Sequence, residues 1–169
     1  MRLSLLAWTV ETDCETTEVT YHGVAEGASE RCGCLACRNF CAARPVHYCE
    51  GFLRLLASLR IDPSKEFAVR LVSPLEGHRH LYTGTYGFSG EILSGRPFRG
   101  FPLALEEVDV FERVGLDAHV ALRPWIAPPA PWAEGLSVRL DFLVVLPWVL
   151  EEGEAPLVNL DRGPRGLTS

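Results

Sequence analysis

A chain of 169 residues with 47% hydrophobic and 22% charged side chains suits one globular domain. At this size a domain buries roughly two-thirds of its unfolded surface and needs no cross-link merely to fold. The net charge of −6 argues against a general nucleic-acid binder, because phosphate binding needs a basic footprint. The longest strongly apolar run, residues 142–150, is far shorter than the ~20 residues of a membrane span.

The first ten residues imitate a signal peptide only faintly, with a short apolar run and no small-residue cleavage site. The expectation is a cytoplasmic protein whose cysteines are reduced or metal-bound. Charge is unevenly spread. Residues 31–60 hold five arginines against Glu50 alone, and residues 103–161 hold eleven acids against Arg113, Arg123 and Arg139. The basic stretch either attracts an anion or pairs with the acidic C-terminal half.

In chain order, residues 2–10 read as a half-buried strand, with Leu3, Leu5 and Ala7 alternating against Arg2, Ser4 and Thr9. Residues 16–22 read as a second strand, being rich in β-branched threonine and valine. A cysteine-rich segment follows, which Pro45 is expected to end. The clearest helix spans residues 46–60, where Cys49, Phe52, Leu53, Leu56 and Leu59 make one apolar stripe and Asp62-Pro63 stops it.

Beyond that the pattern is β. Strands are expected at 66–72, twice within 79–93, at 108–114 and 117–122 as a tight hairpin about Gly115-Leu116, and at 136–146. Phe52, Leu53, Leu56, Val69, Leu71, Leu140, Phe142 and Val144 are the expected core, and Asp141 has outward parity. The predicted fold is α+β and mainly β: an antiparallel, sandwich-like domain over residues 1–158. It carries one helical insertion around residues 35–60, and residues 159–169 form a flexible tail. Residues 123–132 contain four prolines and so form an extended loop. Its Trp125 and Trp132 either fold back on the core or present a docking surface to a protein partner or a second copy.

The chemistry lies in Cys32-Gly33-Cys34-Leu35-Ala36-Cys37-Arg38-Asn39-Phe40-Cys41. Cys34 and Cys37 form a CxxC, whose tight turn aims two sulfurs at one ion, and Gly33 lets the backbone bend between Cys32 and Cys34. Cys41, one helical turn past Cys37, is the expected fourth ligand. Four clustered thiolates would make a closed, structural zinc site. Other readings remain: the spacing i, i+3, i+7 of Cys34, Cys37 and Cys41 also fits a buried helical stripe, an iron–sulfur spacing is nearly met, and close thiols suit a redox sensor or a nucleophile with a nearby histidine. A separate candidate ligand face is formed by His80, Tyr82 and Tyr86, which share one parity on a strand.

Four stretches carry a wider resemblance: Cys32 to Phe40, Ile61-Asp62-Pro63, the segment His80-x-Tyr82-x-Gly84-x-Tyr86-x-Phe88-x-Gly90, and Leu146-Pro147-Trp148-Val149-Leu150. In these the chain resembles a group of bacterial proteins of similar size with no known activity. The resemblance implies a shared fold and singles out Cys32, Cys34 and Cys37 rather than Cys14, Cys41 or Cys49. In that group a histidine often stands at the place of Gly87, and its absence here removes the basis for a histidine-dependent activity at that position.

The functional expectation is a binding or structural module with a cysteine knuckle holding zinc. The alternatives are an enzyme using a cysteine thiolate or the His80–Tyr82 face, and a thiol redox sensor.

Overall fold

A computed structural model describes residues 1–95 and 111–153. The expected tail at 159–169 and the first part of the expected strand at 108–114 lie outside them. The domain is α+β and mainly β, built from two antiparallel sheets. The smaller sheet pairs β1 (Arg2–Leu5), β2 (Trp8–Thr12) and β5 (Gly90–Ser94). The larger runs in the order β3 (Ala68–Leu75), β4 (Arg79–Phe88), β8 (Val138–Pro147), β7 (Ala118–Pro124), β6 (Glu112–Arg113).

Four helices precede β3: α1 (Cys14–Gly23), α2 (Ala28–Cys32), α3 (Leu35–His47) and α4 (Glu50–Ser58). Among the described residues no helix is long and apolar enough to cross a membrane.

The β4–β8 register explains the core. His80, Tyr82, Gly84, Tyr86 and Phe88 lie opposite Leu146, Val144, Phe142, Leu140 and Val138, so their side chains share one face. Helices α3 and α4 cover that face. Phe40 stacks on Phe142 at 6.2 Å, Phe52 lies 5.6 Å from Phe142, and Phe40 lies 5.3 Å from Tyr82. The layer over the larger sheet is therefore helical, a departure from a plain two-sheet sandwich. Of the expected core, Phe52, Leu56, Leu140, Phe142 and Val144 are buried, and Leu53, Val69 and Leu71 pack partly buried against them.

Several elements differ from the sequence expectation. Residues 2–12 are a hairpin rather than one strand, with Leu5 paired to Trp8 and Leu6 at φ 55° in the turn. The expected strand at 16–22 is helix α1, so the helical part extends well beyond residues 35–60. Its cause is local: Asp13 accepts the Thr16 N–H at 3.0 Å and the Thr16 hydroxyl at 2.7 Å, an N-cap that outweighs the modest helix penalty of threonine. Thr17 and Thr20 donate their hydroxyls back to the carbonyls of Asp13 and Thr16.

Pro45 does not end the cysteine segment; it sits in the last turn of α3. The missing proline N–H costs one helical bond close to the end, and the chain becomes extended at Tyr48 and Cys49 before α4 begins. The expected 46–60 helix is thus split there.

Asp141 is buried rather than solvent-facing. Its parity is outward, but side chains from β4, from β7 and from its own strand roof it. Thr85 donates to Oδ1 at 2.7 Å, Arg139 to Oδ1 at 2.8 Å, and Arg123 pairs with Oδ2 at 2.8 Å.

Candidate metal centre

The cysteine segment is a helix–turn–helix corner. Helix α2 ends at Cys32, and Gly33 caps it in the left-handed conformation at φ 64°, which favours glycine. Cys34 is the extended N-cap of α3, and Cys37 lies in that helix's first turn. The corner turns the three sulfurs toward one point, so that Cys32, Cys34 and Cys37 Sγ all lie within 4.8 Å of one another. Cys32 and Cys34 are exposed and Cys37 is buried beneath them. The nearby Cys34 backbone N–H and the Cys34 and Cys37 thiols hold the Cys32 pKa below the ordinary thiol value. Burial, with the Cys34 and Cys32 thiols, pushes the Cys37 thiol up.

Cys41, expected as fourth ligand, is not in this group. Its thiol donates to Ser29 Oγ at 3.0 Å, on the side of α3 facing α2. Nor do Cys34, Cys37 and Cys41 form a buried stripe: Cys34 is an exposed cap, and the inward stripe of α3 is Cys37, Phe40, Ala43 and Arg44. Cys14 lies apart, 3.8 Å from Thr12 Oγ1 and 3.7 Å from the Ser58 carbonyl. Cys49 begins α4 beside Gly115. His47 closes α3, about 15 Å along the helix from Cys37 at ~1.5 Å per residue, too far to serve it as a base.

Two buried polar networks hold the corner. In the first, Glu66 Oε1 accepts from the Ser29 N–H at 2.6 Å and from the Ser29 hydroxyl. Arg44 pairs with Glu66 Oε2, reaches Ser29 Oγ at 3.0 Å and Glu30 Oε1 at 2.8 Å. This ties α2, and hence Cys32, to α3 and to the approach of β3. Arg38 pairs with Glu152 at 2.9 Å. Of the basic stretch, Arg38, Arg44 and Arg54 all engage carboxylates.

In the second network Asn39 is fully buried. Its Nδ2 donates to the Pro147 carbonyl and to Tyr82 OH, each at 3.1 Å, and its Oδ1 accepts the Val149 N–H at 2.7 Å. Tyr82 OH in turn donates to the Ala36 carbonyl at 3.2 Å, inside the turn that carries Cys34 and Cys37. Burial raises the Tyr82 phenol to about 12, against the lowering effect of the Asn39 hydrogen bond.

The cysteine motif, the β4 segment and the 146–150 segment therefore meet at one place. Phe40, next to Asn39, fills the core below it. Pro63 joins the same assembly through its carbonyl, which accepts from Tyr86 OH at 2.8 Å.

His80, Tyr82 and Tyr86 share the expected face, but that face is closed. All three are at most 1% exposed. Tyr86 OH also lies 3.1 Å from Tyr48 OH, and the His80 ring packs 4.9 Å from Trp148. The expectation of a ligand face is corrected for a physical reason: β4 is an inner strand with helices laid over it. At Gly87 a Cβ would stand 2.4 Å from Trp125 Cζ3, so the tryptophan occupies the space a larger residue would need. Trp132 is buried at 5.2 Å from Tyr21, and Trp125 packs 5.0 Å from Phe67. Both indoles are laid over the core.

No family model, no curated protein and no solved structure matches this chain. Sequence reasoning did not single out Asn39, Tyr82 as its partner, or Ser29, Arg44 and Glu66. Asn39 stands inside the quoted motif and could have been flagged as a polar residue beside core phenylalanine. Glu66 lies 37 residues from Ser29, and no local pattern announces that pairing.

Proposed function

We propose that the domain is a zinc-binding module in which Cys32, Cys34 and Cys37, as thiolates, hold one ion that fixes the α2–α3 corner on the sheet. The observation that carries this is the convergence of the three sulfurs within 4.8 Å around Gly33. Tetrahedral zinc with Zn–S of about 2.3 Å sets its sulfurs about 3.8 Å apart, a spacing that small side-chain rotations reach from here. Thiolates favour zinc or copper(I) over the hard cations. In a four-iron, four-sulfur cluster each cysteine binds a separate iron, which spreads the ligands wider than one ion does.

The metal's role is to stiffen a corner already anchored by Asn39 and Glu66. Residues 1–95 and 111–153 build an extensive core elsewhere, so the sheets do not depend on it. Such thiolate chemistry suits a reducing compartment.

Elemental analysis of tag-free protein, purified under a phosphine reductant, tests the proposal. It should find about one zinc per chain in the wild type and none in the variant with all three cysteines changed to serine. Equal metal in both proteins would refute it. A second reading, a thiol redox pair, is favoured by the exposure of Cys32 and Cys34 next to each other. Alkylation rates separate the two, since zinc-bound thiolates react slowly and free ones fast.

A further inference from the structure

The geometry points to an open fourth coordination position on this ion, and we infer that it takes an exogenous thiol as thiolate; the inference rests on the three-cysteine metal reading. Among the described residues, no fourth histidine, cysteine or carboxylate joins the group formed by Cys32, Cys34 and Cys37. Cys41, the nearest cysteine in sequence, lies one helical turn further along α3 and is drawn to the Ser29–Glu66–Arg44 network there. Meanwhile Cys37 closes the protein side of the site, while Cys32 and Cys34 are exposed. An ion held by these three sulfurs has its remaining tetrahedral position on the solvent side, where a small molecule can reach it.

The donor set decides what binds there. Three thiolates give zinc so much charge that it becomes a weak, soft Lewis acid. Water and carboxylates are then held loosely, whereas a sulfur donor matches the other three. Exchange follows one balanced step: the thiol's sulfur forms a bond to zinc, the bound water leaves, and the thiol proton passes to buffer. The product carries one more negative charge than the starting site. Arg31 flanks the cysteines in sequence, and the positive end of the α3 dipole lies at Cys34; both offset that charge.

Arg31 itself donates to the Glu26 carbonyl, leaving its charge unneutralised by that contact. The site would thus hold a thiol in its thiolate form at neutral pH, open to solvent.

The test uses the full chain loaded with cobalt(II) in place of zinc, with 2-mercaptoethanol as the probe. Sulfur-to-cobalt absorption in the near ultraviolet should correspond to three Co–S bonds, and saturating thiol should raise it by about a third as a fourth bond forms. Cys41→Ser should show the same starting intensity and the same rise. Two results overturn the inference: an intensity that thiol leaves unchanged, or a starting intensity that Cys41→Ser lowers by one bond, which would mean a closed four-sulfur site. Failure of the protein to take up cobalt at all overturns the metal reading, and this inference with it.

Discussion

Replacing Asn39 with alanine removes the three hydrogen bonds that bolt α3 to the end of β8 and to Tyr82. Each neutral bond contributes about 0.5–1.5 kcal/mol net, and a buried group left unpaired costs about 1–3 kcal/mol. The Val149 N–H and the Pro147 carbonyl would lose their partner, while Tyr82 OH would keep the Ala36 carbonyl. The expected loss is about 2–4 kcal/mol, a large share of the ~5–15 kcal/mol stability of a domain. In a chain of this length it should lower the melting temperature by roughly 5–15 °C.

Tyr82→Phe removes only the shared hydroxyl and should cost about 1 kcal/mol. Urea unfolding of the metal-free protein measures both, as a shift of midpoint at constant slope. Because Ala36 and Asn39 lie in the turn that presents Cys34 and Cys37, Asn39→Ala should also weaken zinc binding about tenfold or more. A loss under ~0.5 kcal/mol, with zinc affinity unchanged, would refute the role assigned to Asn39.

Leu56→Ala and Phe142→Ala should each cost about 2–5 kcal/mol in the same assay, since both side chains are enclosed in the core. Asp141→Asn should cost about 3 kcal/mol by leaving Arg123 and Arg139 without their shared carboxylate; a neutral result would return Asp141 to the ordinary surface. Cys14→Ser and Cys49→Ser should leave the zinc content at the wild-type value, because both sulfurs stand outside the metal group; loss of metal in either would show a different ligand set.

The sheets were legible in the sequence where alternation is strong, as in β4 and β8, and the core residues follow from that alternation. Helix α1 was not, because its threonines favour strands taken one by one, and the capping bonds of Asp13 that override them are easily passed over. The three metal-group cysteines were legible because they are local: a CxxC, a glycine and a third cysteine lie within six residues. The exclusion of Cys41 was not legible, since it follows from Ser29 and from a carboxylate at Glu66 far along the chain. Asp141 shows the same limit. Parity gives the face a side chain leaves by, but whether an arginine of the neighbouring strand, here Arg123 of β7, roofs that face depends on strand order.

X-ray absorption at the zinc edge tests the proposed centre most directly, on tag-free protein with stoichiometric metal and with all small thiols removed. Three sulfurs at about 2.3 Å and one lighter scatterer are expected, with the sulfur count unchanged in Cys41→Ser and reduced to two in Cys37→Ser. A shell of nitrogen and oxygen alone, or a sulfur count that Cys37→Ser leaves intact, would contradict a zinc held by Cys32, Cys34 and Cys37.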